Sequence, residues 1–189
     1  MTLVAIFGIG GNTPDGNASA AKVASFYGGQ STRQGVAAFI LAAAVPFVVF
    51  FAIRLALSVW PQEPGRRPFW QFVLIAGSVL TAGAFLVAAM VHLALADAAG
   101  HVTPSTLQGI NALDADTFVV FNGALGVMML GAAGSLIPRN KGYRILGWVA
   151  LVAGIALFIP FADFFALIVT ALWLIVASVM LFRREPAMA

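Results

Sequence analysis

Long apolar runs that contain no charged residue constrain the fold of this chain more than any other feature. Residues 35–53, 69–96 and 118–137 are such runs, and a helix needs about 20 mainly apolar residues to cross the hydrocarbon core of a bilayer. Only 9% of the 189 residues are charged and 61% are hydrophobic, which leaves too few charges to cover the surface of a water-soluble globule. The chain is therefore predicted to be an all-α, polytopic membrane protein.

The last apolar run covers residues 145–182 and is too long for one crossing. As a single helix it would measure about 57 Å, whereas the hydrocarbon core is about 30 Å thick. Pro160 and Asp163 near its middle predict a tight turn at residues 160–163. One transmembrane domain with five full spans follows, and the predicted spans are residues 35–60, 69–96, 118–137, 145–159 and 164–182.

The remaining segments are predicted to lie at the membrane surface. Residues 1–10 supply about half the length of a span, so they form a short or partial sixth crossing. The segments 12–34 and 97–117 are each predicted to contain one short interfacial helix. The first helix is expected to end at Gly28 and Gly29, with Val23, Phe26 and Tyr27 resting on the membrane. The second is expected to end near Asp114 and Asp116, either of which could cap the third span.

The distribution of charge predicts the orientation, because basic residues are retained on the cytoplasmic side. With these spans, one side receives 8 of the 10 basic residues, and we assign it to the cytoplasm together with the C-terminus. These basic residues are Arg54, Arg66, Arg67, Arg139, Lys141, Arg144, Arg183 and Arg184. The opposite side keeps 5 of the 7 acids, which are Asp15, Asp97, Asp114, Asp116 and Asp163.

The composition excludes several kinds of chemistry. The chain has no cysteine, so disulfides, thiolate metal sites, iron–sulfur clusters and thiol nucleophiles are excluded. No lysine lies inside a predicted span, which excludes a retinal Schiff base. The basic residues do not gather on a solvated domain, as binding of nucleic acid would require. We predict no cofactor and no nucleic-acid partner.

The few polar residues near the predicted outer side are the candidates for a site. His92, Asn122 and Asp163 are candidates for binding a ligand or a proton. Asp97, His101, Asp114 and Asp116 offer carboxylate and imidazole ligands for a divalent metal. In the structural alternative, the acids cap helices, His92 anchors at the interface and Asn122 makes an interhelical hydrogen bond.

Two further patterns concern lipids and packing. The basic bends at Arg66 and Arg67 and at Arg139, Lys141 and Arg144 could hold anionic lipid headgroups, although topology accounts for them equally well. The small residues Gly123, Gly126, Gly131, Gly134, Ala150 and Gly154 predict close helix–helix approach in the third and fourth spans.

Several segments carry a family resemblance over nearly the whole chain. They are residues 19–27 (Ser-Ala-Ala-Lys-Val-Ala-Ser-Phe-Tyr), 107–118 with Asn-Ala-Leu-Asp-Ala-Asp-Thr-Phe, 142–148 and 173–184. In these segments the chain resembles a family of uncharacterised bacterial integral membrane proteins common in actinobacteria. The resemblance implies a complete helix before the first outer segment, where this chain has only residues 1–10. It implies an architecture and no catalytic residues.

Three function classes follow from the sequence. The first is a non-enzymatic protein of the bacterial inner membrane, acting as an accessory or assembly subunit or binding a lipid or another apolar ligand. Its partners would be membrane lipids and either protein subunits or further copies of the chain. The second is a small transporter or channel-like protein, and the third is an outward-facing membrane metalloenzyme. The scarcity of polar residues inside the spans favours the first.

Overall fold

The computed structural model describes residues 13–60 and 68–183, and this part of the chain is helical without any strand. Four of its helices are long and apolar enough to span a membrane, which indicates a membrane protein. The fifth, α4, is shorter, with 16 residues. The five helices are α1 (Ala20–Ser58), α2 (Phe69–Ala98), α3 (Pro104–Leu136), α4 (Lys141–Ala156) and α5 (Ala162–Arg183). The predicted partial span at residues 1–10 lies outside the described residues, as do Arg66, Arg67 and Arg184.

Helix α1 consists of two helical segments that meet at a kink at Gln30 (φ −132°, ψ 18°), directly after Gly28 and Gly29, where the sequence predicted the short first helix to end. A glycine inside a helix costs about 1 kcal/mol relative to alanine, so the pair weakens the helix at this point and permits the kink. The second segment follows the kink without a separate loop, so it starts before residue 35, the predicted start of the first span.

Helix α3 is continuous where the sequence predicted two elements. Thr103 Oγ1 accepts a hydrogen bond from the Thr106 N–H, and Pro104 occupies the first helical position, as predicted. The helix then passes through Asp114 and Asp116 without a break. The prediction that either Asp caps the third span was therefore wrong. An aspartate inside a helix costs less than about 1 kcal/mol, and no glycine or proline follows the pair to reverse the chain.

The predicted turn between the last two helices is confirmed. Helix α4 ends at Ala156 and α5 begins at Ala162, so the turn falls around Pro160 and Phe161, where Phe161 has a positive φ of 69°. The Asp163 carboxylate accepts a hydrogen bond from the Phe164 N–H at 2.9 Å, close to the capping role expected for it. Helix α4 begins at Lys141 because Asn140 caps it, four residues before the predicted start.

Many large apolar side chains are exposed on the helices, whereas several polar side chains are buried between them. Phe47, Val119 and Phe182 are 72%, 72% and 79% exposed. Amide and hydroxyl side chains are buried instead: Gln34, Gln71, Ser78, Thr81, Asn111, Asn122, Ser135 and Thr170. Such a distribution is unfavourable in water and favourable in lipid, where buried polar groups find partners and apolar side chains meet acyl chains.

The chain divides into two compact units. Unit 1 comprises the chain up to Phe47 together with Ala82–Phe121, and unit 2 comprises Val48–Thr81 together with the chain from Asn122 onwards. In unit 1, an apolar cluster joins α1, α2 and α3. Its buried members are Ala18, Val23, Tyr27, Val91, Leu95 and Leu107. Val23 and Tyr27 are fully buried in it, so the expectation that they rest on the membrane was wrong. Packing of Val23 and Tyr27 against α2 and α3 is more favourable than contact of the two side chains with the membrane surface.

In unit 2, glycines allow helices to approach closely. A Cβ added at Gly131 would lie 2.3 Å from the Leu74 backbone nitrogen, and one at Gly77 would lie 2.4 Å from that of Met128. Gly126, Gly134 and Gly154 also face neighbouring side chains or backbone, as the sequence predicted, whereas nothing lies within 4 Å of a Cβ added at Gly123. The predicted role of Gly123 in packing was therefore wrong, because its face of α3 is not the one in contact.

Candidate functional site

His92 and Asp114, which the sequence assigned to separate candidate sets, lie together in unit 1. His92 on α2 points its Nε2 at Asp114 Oδ1 on α3 across 3.7 Å, and their side chains are only 16% and 11% exposed. His92 Nδ1 and Asp114 Oδ1 are buried and make no hydrogen bond to the described residues. The distance between these two atoms exceeds a hydrogen bond and lies within the range of an ion pair. The structure therefore places an imidazole and a carboxylate side by side in unit 1.

A hydrogen-bonded network beside this pair ties the beginning of the described chain to α3. Tyr27 Oη donates to Asn111 Oδ1 at 3.3 Å, and Asn111 Nδ2 donates to the carbonyls of Pro14 (3.3 Å) and Asp15 (3.0 Å). Gln108 Nε2 donates to the carbonyl of Ala18 at 2.8 Å. We call residues 13–29 the N-terminal segment. The network fixes this segment on α3 through amide groups that can donate and accept at once.

Sequence reasoning did not single out Tyr27 or Asn111 for this role. The available signal was Asn111 itself, an amide placed between the apolar residues Leu107, Ile110 and Leu113 of one helical stretch. An amide at such a position needs buried partners, but nothing in the sequence indicates that the partners come from residues 84 to 97 positions earlier in the chain.

Asn122 and Asp163, both predicted as ligand or proton candidates, are brought together in unit 2. Asn122 Nδ2 on α3 donates to Asp163 Oδ2 at the start of α5 across 3.0 Å. Asn122 is 3% exposed, and its Oδ1 is buried without a hydrogen-bond partner among the described residues. This contact is the interhelical hydrogen bond that the sequence offered as the structural alternative for Asn122. It occupies one oxygen of the Asp163 carboxylate.

The remaining members of the predicted outer metal set lie apart. Asp97, His101 and Asp116 are exposed, and His101 Nδ1 contacts the backbone carbonyl of Asp97 at 3.1 Å rather than its carboxylate. Helix α2 has ended by this point, and Gly100 with φ 83° carries the chain away from the helix axis. Within residues 13–60 and 68–183, no three His, Asp or Glu side chains come close enough together to hold a metal ion.

A cavity of about 460 Å³ opens in unit 2 where α2 begins and α3 ends. Trp70, Leu130, Ile137 and Leu151 supply apolar walls, and Gln71 and Arg139 supply the polar ones. Arg139 Nη2 donates to the Val59 carbonyl, and Gln71 Nε2 donates to the same carbonyl at 3.0 Å. The sequence predicted that Arg139 holds a lipid headgroup. It did not single out Gln71, which donates to the Val59 carbonyl together with Arg139.

The other basic residues of this bend lie at the beginning of α4. Lys141 is exposed, and Arg144 Nε donates to the carbonyl of Ile137 at 3.3 Å. Asn140 Oδ1 accepts from the Tyr143 N–H at 3.5 Å. The bend thus gathers three positive charges with the N-terminus of a helix, and both features attract anions.

Comparisons of the chain with protein-family models, with curated proteins and with solved structures give no match.

Proposed function

We propose that this chain is a non-enzymatic integral membrane protein that binds a lipid or another apolar ligand. The observation that carries the proposal is the cavity in unit 2, which has mostly apolar walls and a polar corner made by Gln71 and Arg139. Pockets for apolar ligands typically combine apolar walls with a few polar groups that fix orientation. The same residues offer no nucleophile paired with a base, as covalent catalysis would need.

Five crossings are part of this proposal, with α4 as the shortest. Hydrogen bonds of helical type continue from Leu157 to Ile159, so the helical backbone beginning at Lys141 measures about 28 Å. Its outward side chains include Trp148, Val152 and Ile155, which are suited to lipid. Trp173 Nε1 on α5 donates to the Leu146 carbonyl at 2.8 Å and holds α4 against α5.

The proposed location is the inner membrane of a bacterium with the C-terminus in the cytoplasm, as the distribution of basic residues favours. Membership of the actinobacterial membrane-protein family, and assembly with protein subunits or with further copies, are proposed with it.

A cysteine placed at Ser105 or at Asn140 tests the orientation, because the natural chain has no cysteine to interfere. Ser105 is exposed just after α3 begins, and Asn140 is exposed just before α4. We expect a membrane-impermeant maleimide to label Ser105→Cys on intact spheroplasts and to label Asn140→Cys only after the membrane is opened. The reverse pattern would show that the proposed orientation is inverted.

The ligand-binding proposal is tested by filling the cavity. Leu151 lines it, and its neighbour Val152 is 66% exposed and is not part of the lining. We expect Leu151→Trp to remove a lipid that native mass spectrometry detects on the wild-type protein purified in mild detergent. Val152→Trp adds the same side chain outside the cavity and should keep that lipid. Equal lipid retention in both variants, with both folded, would contradict the proposal.

A further inference from the structure

The guanidinium of Arg139 has hydrogen-bond donors that the described residues do not use. An arginine carries five N–H donors in a rigid fork, and within residues 13–60 and 68–183 the Arg139 side chain donates from Nη2 to the Val59 carbonyl. Its Nε is buried and has no hydrogen-bond partner among the described residues. An unpaired buried donor costs about 1–3 kcal/mol, so an acceptor arriving at this edge of the fork would be bound favourably.

The hydrogen bonds of Val59 hold that fork in place. The Val59 carbonyl accepts from both Arg139 Nη2 and Gln71 Nε2, and Gln71 is itself buried. The guanidinium is therefore oriented by the Val59 carbonyl, which Gln71 also binds, before any ligand arrives, and this lowers the entropy lost on binding. A preorganised arginine fork matches the oxygen atoms of a phosphate group better than it matches a neutral ligand.

The charges of unit 2 also favour an anion. Its described residues carry one acid, Asp163, whose two carboxylate oxygens are already engaged by Asn122 and by the Phe164 N–H. The bend between α3 and α4 carries three basic side chains, Arg139, Lys141 and Arg144, whereas the other two described basic side chains of the unit, Arg54 and Arg183, do not line the cavity. Arg144 Nε donates to the carbonyl of Ile137, a residue that lines the cavity.

The aromatic residues near the cavity mark the boundary between membrane and water. Trp60 follows the end of α1 and packs edge-to-face on Phe72. Trp70, at the beginning of α2, lines the cavity itself. Tryptophan is enriched at the depth of the lipid headgroups. The proposed topology places these helix ends at the cytoplasmic face, where anionic lipids attract basic residues. The apolar walls at Leu130 and Leu151 then lie at the depth of the acyl chains.

We propose that this cavity binds a phospholipid with a net negative headgroup, its phosphate oxygens accepting hydrogen bonds from Arg139 and an acyl chain lying along Leu130 and Leu151. The proposal rests on the proposed function, since it names the ligand class of the same cavity. A lipid rather than free phosphate is the occupant because the walls beyond Arg139 are apolar and would leave a lone phosphate ion in contact with hydrocarbon.

Lipid competition on the full-length protein tests this proposal. The protein is reconstituted into nanodiscs of phosphatidylglycerol and phosphatidylcholine in equal parts, then released and analysed by native mass spectrometry for bound lipid. We expect the wild type to retain phosphatidylglycerol over phosphatidylcholine by about tenfold, because both lipids offer a phosphate to Arg139 but the choline cation of phosphatidylcholine is repelled by Arg139 and the basic side chains of the bend. Arg139→Gln should bring this ratio close to one. Arg183→Gln, which removes the same charge from the end of α5, should keep the wild-type ratio.

Additional variants and a competition with inorganic phosphate distinguish failure of the headgroup assignment from failure of the proposed function. Arg139→Lys preserves the charge without the fork and is expected to give an intermediate ratio, and it replaces Arg139→Gln if that variant does not fold. Inorganic phosphate should not displace the bound lipid, and displacement would identify free phosphate as the ligand and overturn the proposal. If the wild type retains both lipids equally and Leu151→Trp loses both, the headgroup assignment is overturned and the proposed function stands. Lipid retention that is unaffected by Leu151→Trp overturns both.

Discussion

Gly131→Ala is expected to destabilise the protein by about 3 kcal/mol, the upper part of the range for overpacking a tightly packed core. The added Cβ would lie 2.3 Å from the backbone nitrogen of Leu74, 2.5 Å from its Cα and 2.7 Å from the carbonyl carbon of Val73. These are backbone atoms of α2, so no side-chain rotation can relieve the clash. The two helices must separate, and the contacts along their shared surface are weakened together.

The matched control is Gly123→Ala on the same helix. Nothing lies within 4 Å of a Cβ added there, and alanine is favoured over glycine inside a helix by up to about 1 kcal/mol. We expect Gly123→Ala to unfold at or slightly above the wild-type temperature and Gly131→Ala to unfold well below it. Tryptophan fluorescence during heating in detergent would measure both, and equal midpoints for the two variants would show that α2 and α3 are not in backbone contact at Gly131.

Asn111→Ala is expected to release the N-terminal segment from α3. The substitution leaves Tyr27 Oη and the carbonyls of Pro14 and Asp15 without their present partner, and Asn111 is 1% exposed, so water cannot easily replace the amide. Unpaired buried groups cost about 1–3 kcal/mol each. We expect amide hydrogen exchange in residues 13–29 to accelerate by about tenfold or more, since each 1.4 kcal/mol of lost local stability contributes a factor of ten.

Two variants accompany this measurement. Tyr27→Phe removes a single hydrogen bond, so its effect on exchange should be clearly smaller, corresponding to about 1 kcal/mol. Asn17→Ala makes the same change of residue type at an exposed position within the segment and should leave exchange unchanged. If Asn111→Ala behaved like Asn17→Ala, the segment would be held by its apolar contacts, and the hydrogen-bonded network would not be what secures it.

The division of residues 145–182 into two helices could be predicted because it depends on length alone. No bilayer accommodates a straight helix of 38 apolar residues, and Pro160 and Asp163 mark where the chain can turn. The observed turn between Ala156 and Ala162 agrees. The positions of α2 and of the apolar part of α3 follow in the same way from uninterrupted apolar runs.

The continuity of α3 could not be predicted from local signals, whereas the kink in α1 falls next to the glycine pair where the sequence placed a helix end. Asp114 with Asp116 resembles a helix end because each residue disfavours a helix interior by a small amount. In the structure this small cost is outweighed by contacts of the flanking turns, where Asn111 is buried and Asp114 faces His92. Those contacts are long-range, and a single sequence does not contain them.

The sequence by itself determined that the chain is helical with runs apolar enough to span a membrane, where those runs lie, and where the chain turns between the last two helices. These depend on how much apolar length each segment has, which is a property of local composition. Only the tertiary structure decided which polar residues meet: His92 with Asp114, Asn122 with Asp163, and Gln71 with Arg139 on one carbonyl. A polar side chain inside a bundle is satisfied by a partner on another helix, and the choice of that partner depends on helix rotation and register, which apolar composition leaves open.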